Sequence, residues 1–489
     1  MVCLTSPLSS LRRFAGLTAC VLASAVTLTA ATPRAAEAGR ELEPIAPIVA
    51  PFAMPQLQRP VFPDRTVSIV DTGAVAGGEV KNTAAFAAAI DQLSRAGGGR
   101  VLVPAGRWLT GPIHLRSNIE LHLADDAVLV FSDVFEDYLP VVLSRIGGIE
   151  LYNYSSLIYA RGCENIAVTG RGRLDGNAAA WWPWAKRETR EGFAMGAKGV
   201  PVEQRIFGTP AAAIRPSFIS FVECKNVLLE GFTIGSGPNW TIHPIYCENI
   251  IIRRVTVETD GPNNDGIDPD SCRNMLIEHC TFSTGDDCVV LKSGYDQDGR
   301  RVGRPTENVV MRHCSSRRGH GGLVIGSEMS GSVRNVYMHD CHFDGTDRVL
   351  RIKSRPGRGG VVENVWVENI TARNLRYEVV ILNMDYTADK NAVVDPTPPT
   401  FRNITVRKVA AVGAPVAVRI TGMESSPIHH VVFEDVAFVT DRGVIATHAH
   451  DLEFRRAALT FKQGPRFELK AVTNLTVDGA PPADLPAAR

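Results

Sequence analysis

An asparagine followed by alternating apolar residues recurs along the chain, and no other feature restricts its fold as strongly. The marker stands at Asn226, Asn249, Asn274, Asn308, Asn335, Asn364 and Asn403, with His430 in its place once, mostly 23 to 29 residues apart. One, three and six places after it come apolar side chains: Val227, Leu229 and Phe232, then Ile250, Ile252 and Val255, then Met275, Ile277 and Cys280. Weaker copies begin at Asn118, Asn165 and Asn474. Side chains two apart on a strand share a face, so each copy is a short strand with an apolar edge that it cannot bury alone. Stacking the copies buries those edges together. The period is short for propeller blades, which run to about 40–45 residues, and it suits the coils of a parallel β-helix. Asn accepts the left-handed backbone of a turn between strands, and stacked Asn side chains can form a ladder. The expected fold class is all-β, a parallel β-helix solenoid over residues 65–485.

The start of the chain reads differently. Arg12 and Arg13 precede an apolar stretch from Phe14 to Thr32, and Ala36-Glu37-Ala38 offers a small-residue cleavage site. Residues 1–38 thus have the make-up of a secretory signal peptide. An uncleaved anchor is the plainer alternative, but the run is Ala/Thr-rich and barely long enough to span. The expected location is periplasmic or secreted, with no stable membrane span in the mature chain. Residues 39–64 form a proline-rich linker. Residues 82–96 read as a short capping helix, with Asn82 as N-cap and Phe86, Ala89, Ile90 and Leu93 on one face. It would cover the open first coil against edge-to-edge pairing. The 52 basic residues balance 52 acidic ones, which argues against nucleic acid as a partner. Ten cysteines in 489 residues make no disulfide scaffold. Cys163, Cys224, Cys247 and Cys272 fall two places before a marker, and Cys280, Cys314 and Cys341 fall six after it, as small core fillers would. Neighbouring rungs are near enough for a disulfide in an exported chain.

Counting from the marker also shows where unusual polar residues fall. Asp265 is sixteen after Asn249, and Gly285-Asp286-Asp287 are eleven to thirteen after Asn274. Gly319-His320-Gly321 repeat that register after Asn308, and Arg351 and Lys353 follow Asn335 by sixteen and eighteen. Four successive rungs, about 4.8 Å apart, would gather three carboxylates, an imidazole and two cations on one patch. Each element alone has a bland reading: a solvated Asp-Asp turn, a His between glycines, an exposed Arg-x-Lys strand. Their shared register favours acid–base hydrolysis of an anionic substrate.

Asn263-Asn264-Asp265-Gly266-Ile267-Asp268, Gly285-Asp286-Asp287, Gly319-His320-Gly321 and Arg351-Ile352-Lys353 occur in the order and spacing of the polygalacturonase family, glycoside hydrolase family 28. The chain resembles that family over nearly its whole mature length, including the opening around Asp71-Thr72-Gly73. The resemblance implies a right-handed parallel β-helix that hydrolyses α-1,4-galacturonosyl linkages of pectin, with inversion and with no metal or other cofactor. It implies Asp286 as general acid, Asp265 and Asp287 as the pair activating water, and His320 as the residue tuning the acid's proton. Arg351 and Lys353 would clamp the substrate carboxylate, and Tyr386 would contact the sugar. The family commonly has Thr where Asn264 stands, and an apolar residue or Cys where Ser316 stands. The segment Tyr295 to Thr306, with Arg300, Arg301 and Arg304, resembles bacterial exo-acting or oligogalacturonide-directed members, and a loop there would wall off the groove and bind an end carboxylate. Two other readings remain: a pectate-lyase-like helix whose Asp265, Asp268, Asp270, Asp286 and Asp287 hold Ca²⁺, and a non-catalytic pectin-binding β-helix. The sequence leaves open the particular pectic polymer and the oligomeric state.

Overall fold

The computed structural model describes residues 43–187, 190–386 and 395–482. The proposed signal peptide lies outside the described residues. The chain divides at Ala46, and the coil belongs to the unit Pro47–Arg489. Among the described residues no helix is long and apolar enough to cross a membrane.

The marker period becomes a parallel β-helix. The strands Lys225–Glu230, Glu248–Arg253, Arg273–Glu278 and Thr306–Arg312 follow one another in parallel, with Val227, Ile250, Met275 and Val309 in one column. A second stack runs through Thr233–Gly235, Thr256–Glu258 and Thr281–Ser283. A third carries Ile242–Ile245, single bridges at Ile267 and Asp270, then Val289–Leu291, Leu323–Ile325, Leu350–Lys353 and Glu378–Asn383. One apolar core runs inside the coil from Val67 to Leu475.

All the markers from Asn118 to Asn474, His430 included, have φ between 53° and 60°. This is the left-handed turn for which Asn was expected. From Asn118 to Asn403 each Asn Nδ2 donates to the Oδ1 of the marker one coil earlier, eight bonds of 3.0–3.2 Å. Replacing Asn308 by Ala forfeits two rungs of this ladder and leaves a Cβ-branched-free but left-handed Ala. The expected cost is about 2–3 kcal/mol, read as a lower denaturant midpoint, with Asn308→Gly losing less. Equal midpoints for Asn308→Ala and wild type would show that the ladder contributes nothing.

Helix α1, Thr83–Arg95, buries Phe86, Ala89, Ile90 and Leu93 in the same core as the first strands. Asn82 sits at the N-cap position but makes no capping bond. Its buried amide instead ties Val75, Val80 and Leu109, closing the preceding loop on the first coil. The described part of the proline-rich segment, residues 43–64, has no helix or strand, and from Pro47 onward it lies against the coil. Pro47 accepts from Arg312, Phe52 packs on Trp366 at 5.8 Å, and Arg59 pairs with Glu230. The eight described cysteines are buried free thiols, so the columns fill the core without bridges.

Candidate active site

The polar motifs meet where each coil turns from the second stack into the third. Ile267, Val289, Leu323 and Leu350 stand in register. That register puts Asp265 beside Asp287 and Asp286 beside His320. The motif glycines have a steric reason. A Cβ on Gly285 would lie 2.4 Å from the Gly261 carbonyl, and one on Gly319 would lie 2.4 Å from Cys288 Sγ. Coils at these turns approach too closely for any side chain.

Asp286 and His320 form one half of the site. Their Oδ1 and Nδ1 are 2.8 Å apart, and the His320 amide also donates to the Asp286 carbonyl. Asp286 keeps 22% of its side-chain surface and His320 45%, so both reach solvent or substrate. The hydrogen bond to Asp286 raises the imidazole pKa above its ordinary value, against a smaller effect of burial.

Asp287 differs from its neighbour in every respect. It is fully buried, with Lys353 Nζ at 2.7 Å on one oxygen and Arg351 Nη1 at 3.2 Å on the other. Burial alone would raise its pKa, but the two cations outweigh it and hold the carboxyl well below the usual range. Asp287 is therefore held in its ionised form. Both cations also face the Tyr386 ring, at 5.7 Å from Arg351 and 5.4 Å from Lys353. The intended substrate clamp thus already has a carboxylate partner within the protein.

Asp265 pairs with Asp268 of its own motif and brings in Lys292, Glu328 and Trp240, which the motifs did not single out. Burial, and then the charge of Asp268, push its pKa well up, and burial does the same to Asp268. One oxygen of Asp265 and both of Asp268 have no donor among the described residues. Lys292 Nζ lies 3.8 Å from each of them, 3.3 Å from Glu328 and 4.2 Å above the Trp240 ring. Burial would strip its proton, but Glu328 and the two aspartates more than offset this and keep it charged. Lys292 follows its marker by eighteen places, as Lys353 does, so the register held the signal. Asp286, Asp287 and His320 bring one ligand atom each within 4.8 Å of one another, the group among the described residues spaced for a metal ion. Asp287 there already faces two cations.

Of these side chains, Asp265, Asp286, Lys292, Glu328, Lys353 and Tyr386 line a cavity of about 500 Å³. Its far wall comes from two excursions that break the marker interval, 47 residues from Asn118 to Asn165 and 61 from there to Asn226. The first folds as an antiparallel hairpin, Val142–Ile146 with Ile149–Asn153. The second holds the turn Trp182–Lys186 and helix α2, Arg190–Ala197. Ile146, Ala185, Phe193 and Arg215 reach the cavity from these segments. The segment after Tyr295 departs from expectation. It forms helix α3, Asp296–Val302, and of its residues only Tyr295, stacked on Phe193 at 4.2 Å, lines the cavity. Arg300 is bound to Gly357, Arg358 and Asp395, Arg301 to Glu150 and Asp298, and Arg304 lies over the Tyr246 ring. Arg300 and Arg301 are satisfied by carboxylates and carbonyls and Arg304 by a ring, so the wall function passes to the excursions.

The chain is similar to known proteins. Residues 207–450 match the model of the Glycosyl hydrolases family 28. A probable polygalacturonase of Vitis vinifera is 32% identical over 384 residues, 76% of this chain and 74% of the relative. Among solved structures, a hyperthermoactive exopolygalacturonase from Thermotoga maritima is 41% identical with a TM-score of 0.75, over 86% of this chain and 93% of that one. The family 28 exopolygalacturonase of Yersinia enterocolitica is 25% identical with a TM-score of 0.73, over 86% and 79%.

Proposed function

Since the chain belongs to glycosyl hydrolase family 28, as a polygalacturonase-type hydrolase, we propose that it removes sugars from one end of an α-1,4-galacturonan by inverting hydrolysis. The carrying observation is the division of labour between adjacent carboxyls. Asp286, half-open and bonded to His320, gives a proton to the leaving glycosidic oxygen. Asp287, buried and ionised by Lys353 and Arg351, takes a proton from the attacking water, with Asp265 on its other side. With Asp286 and Asp287 acting as separate acid and base, the reaction is a single displacement, hence inversion. Lys353 lines the cavity and Arg351 keeps 16% of its side-chain surface, so a sugar carboxylate can share them with Asp287.

Attack from a chain end is supported by the wall that the two excursions build, and by the exo-acting enzymes among the relatives. A lyase using Ca²⁺ fits less well, because the acidic cluster is already matched by cations of the chain itself. Asp270 pairs with Arg145, Asp287 with Lys353, and Asp265 and Asp268 face Lys292. Early digestion of polygalacturonan should release short sugars while viscosity falls slowly, and proton NMR should show the β-anomer first. A rapid viscosity drop at low bond cleavage would indicate an open cleft, and α-anomer first would end the single-displacement reading.

The proposal also places the mature protein outside the cytoplasm, on the strength of residues 1–38. N-terminal sequencing of exported protein should begin near Gly39. Retention of the intact N-terminus in a soluble cytoplasmic fraction would refute this.

A further inference from the structure

Arg215 differs from the two buried lysines of the cavity, Lys292 and Lys353. It is 6% exposed and lines the cavity beside Asn263 and Asp265. Lys292, Lys353 and Arg351 each face a carboxylate, whereas Arg215 forms no ion pair among the described residues. Nη1 donates to the carbonyls of Pro238 at 3.0 Å and Pro262 at 2.6 Å, and Nη2 donates to Asn263 Oδ1 at 2.7 Å. All three acceptors are neutral. Of the five guanidinium hydrogens, these bonds use three and leave the Nε–H and one Nη2–H. A buried cation that bonds no carboxylate is costly: burial lowers its pKa to about 10, and the nearby charge of Asp265 only partly offsets this. Such a group is poised to gain from an anion.

Its place in the coil says which anion. Its bonds reach the coils of Asn226 and Asn249, the latter carrying Asp265. Lys353 and Arg351 stand two coils beyond Asp286, in the coil of Asn335. The two cationic points therefore flank the catalytic aspartates, and Arg215 is on the side where the excursions close the cavity. We propose that Arg215 is a second carboxylate subsite, which takes the uronate group of the chain-end sugar while Lys353 and Arg351 serve the sugar across the scissile bond. This assignment rests on the galacturonan reading above. It makes end recognition an electrostatic event, since a neutral terminal sugar would leave the guanidinium buried and unmatched.

Equilibrium binding tests the subsite independently of turnover. The Asp286→Asn protein and its double variant with Arg215→Gln would be titrated with trigalacturonate and with two analogues, each reduced to a hydroxymethyl group at one terminal carboxylate. Arg215→Gln should weaken trigalacturonate binding by about 10- to 100-fold, the range of a hydrogen bond to a charged group. One analogue should bind the Asp286→Asn protein with a similar loss and show no further loss on Arg215→Gln. Arg215→Lys, which keeps the charge, should lie between, and it provides the reading where Arg215→Gln fails to fold. Equal loss on all three ligands, or none, or no binding of any, overturns the subsite, because a purely structural arginine cannot distinguish which carboxylate was removed. A wild type that cleaves nothing, but whose Asp286→Asn form shows the ligand-specific pattern, would instead retain the subsite and defeat the hydrolase reading.

Discussion

An Asp286→Asn variant is expected to fold normally and to turn over galacturonan at least about 100-fold more slowly, since general acid catalysis commonly contributes 10²–10⁴. Asn keeps the shape and can still bond His320 across the 2.8 Å contact, so the loss isolates the missing proton. The side chain is at the cavity edge rather than in the core, which is why stability should hold. Turnover, unfolding midpoint and the circular dichroism spectrum would be measured together. Near wild-type turnover in a folded variant would take the acid role away from Asp286.

Lys353→Ala should be nearly as damaging, and in a diagnostic way. The ammonium is one of two cations holding Asp287 ionised. Without it, burial regains influence and the Asp287 pKa rises. The base must be ionised to accept a proton from water, so activity is lost as pH falls through that pKa. The acidic limb of the kcat profile should therefore move to higher pH in the variant. The opposite movement, or none, would show that Lys353 does not govern Asp287. Lys353 also loses its share of the substrate carboxylate, so free-acid galacturonan should suffer far more than methyl-esterified substrate. Equal losses on both substrates would remove the clamp but leave the pH effect to stand or fall separately.

The two expectations differ in how they became visible. The register of Asp286 with His320 needed only counting from Asn274 and Asn308. The bonds from Lys353 and Arg351 to Asp287 needed coordinates, because a strand position fixes which face a side chain takes but not which partner it finds there. The same holds for Asn82, whose position predicted a helix cap but whose amide closes a loop. Lys292 lay in the counted register and still passed unnoticed, since a lysine on a strand is ordinarily a solvated face and its burial above Trp240 is a product of packing.

By itself the sequence determined the coil: the left-handed markers and their ladder, the apolar columns, and the stacking of Asp265, Asp286, Asp287, His320, Arg351 and Lys353 on successive rungs. These follow from a short period, in which each residue's neighbours are the same residues one coil away. The tertiary structure decided the rest. It set the Asp265–Asp268 pair under Lys292, the cation cage on Asp287, the diversion of Arg300 and Arg301 into ion pairs and of Arg304 onto the Tyr246 ring, and the wall that brings Arg215 to the cavity. Those segments have no period, and their partners lie up to 151 residues away, as Arg301 and Glu150 do. Such long-range contacts form only once the coil has supplied a surface to pack on.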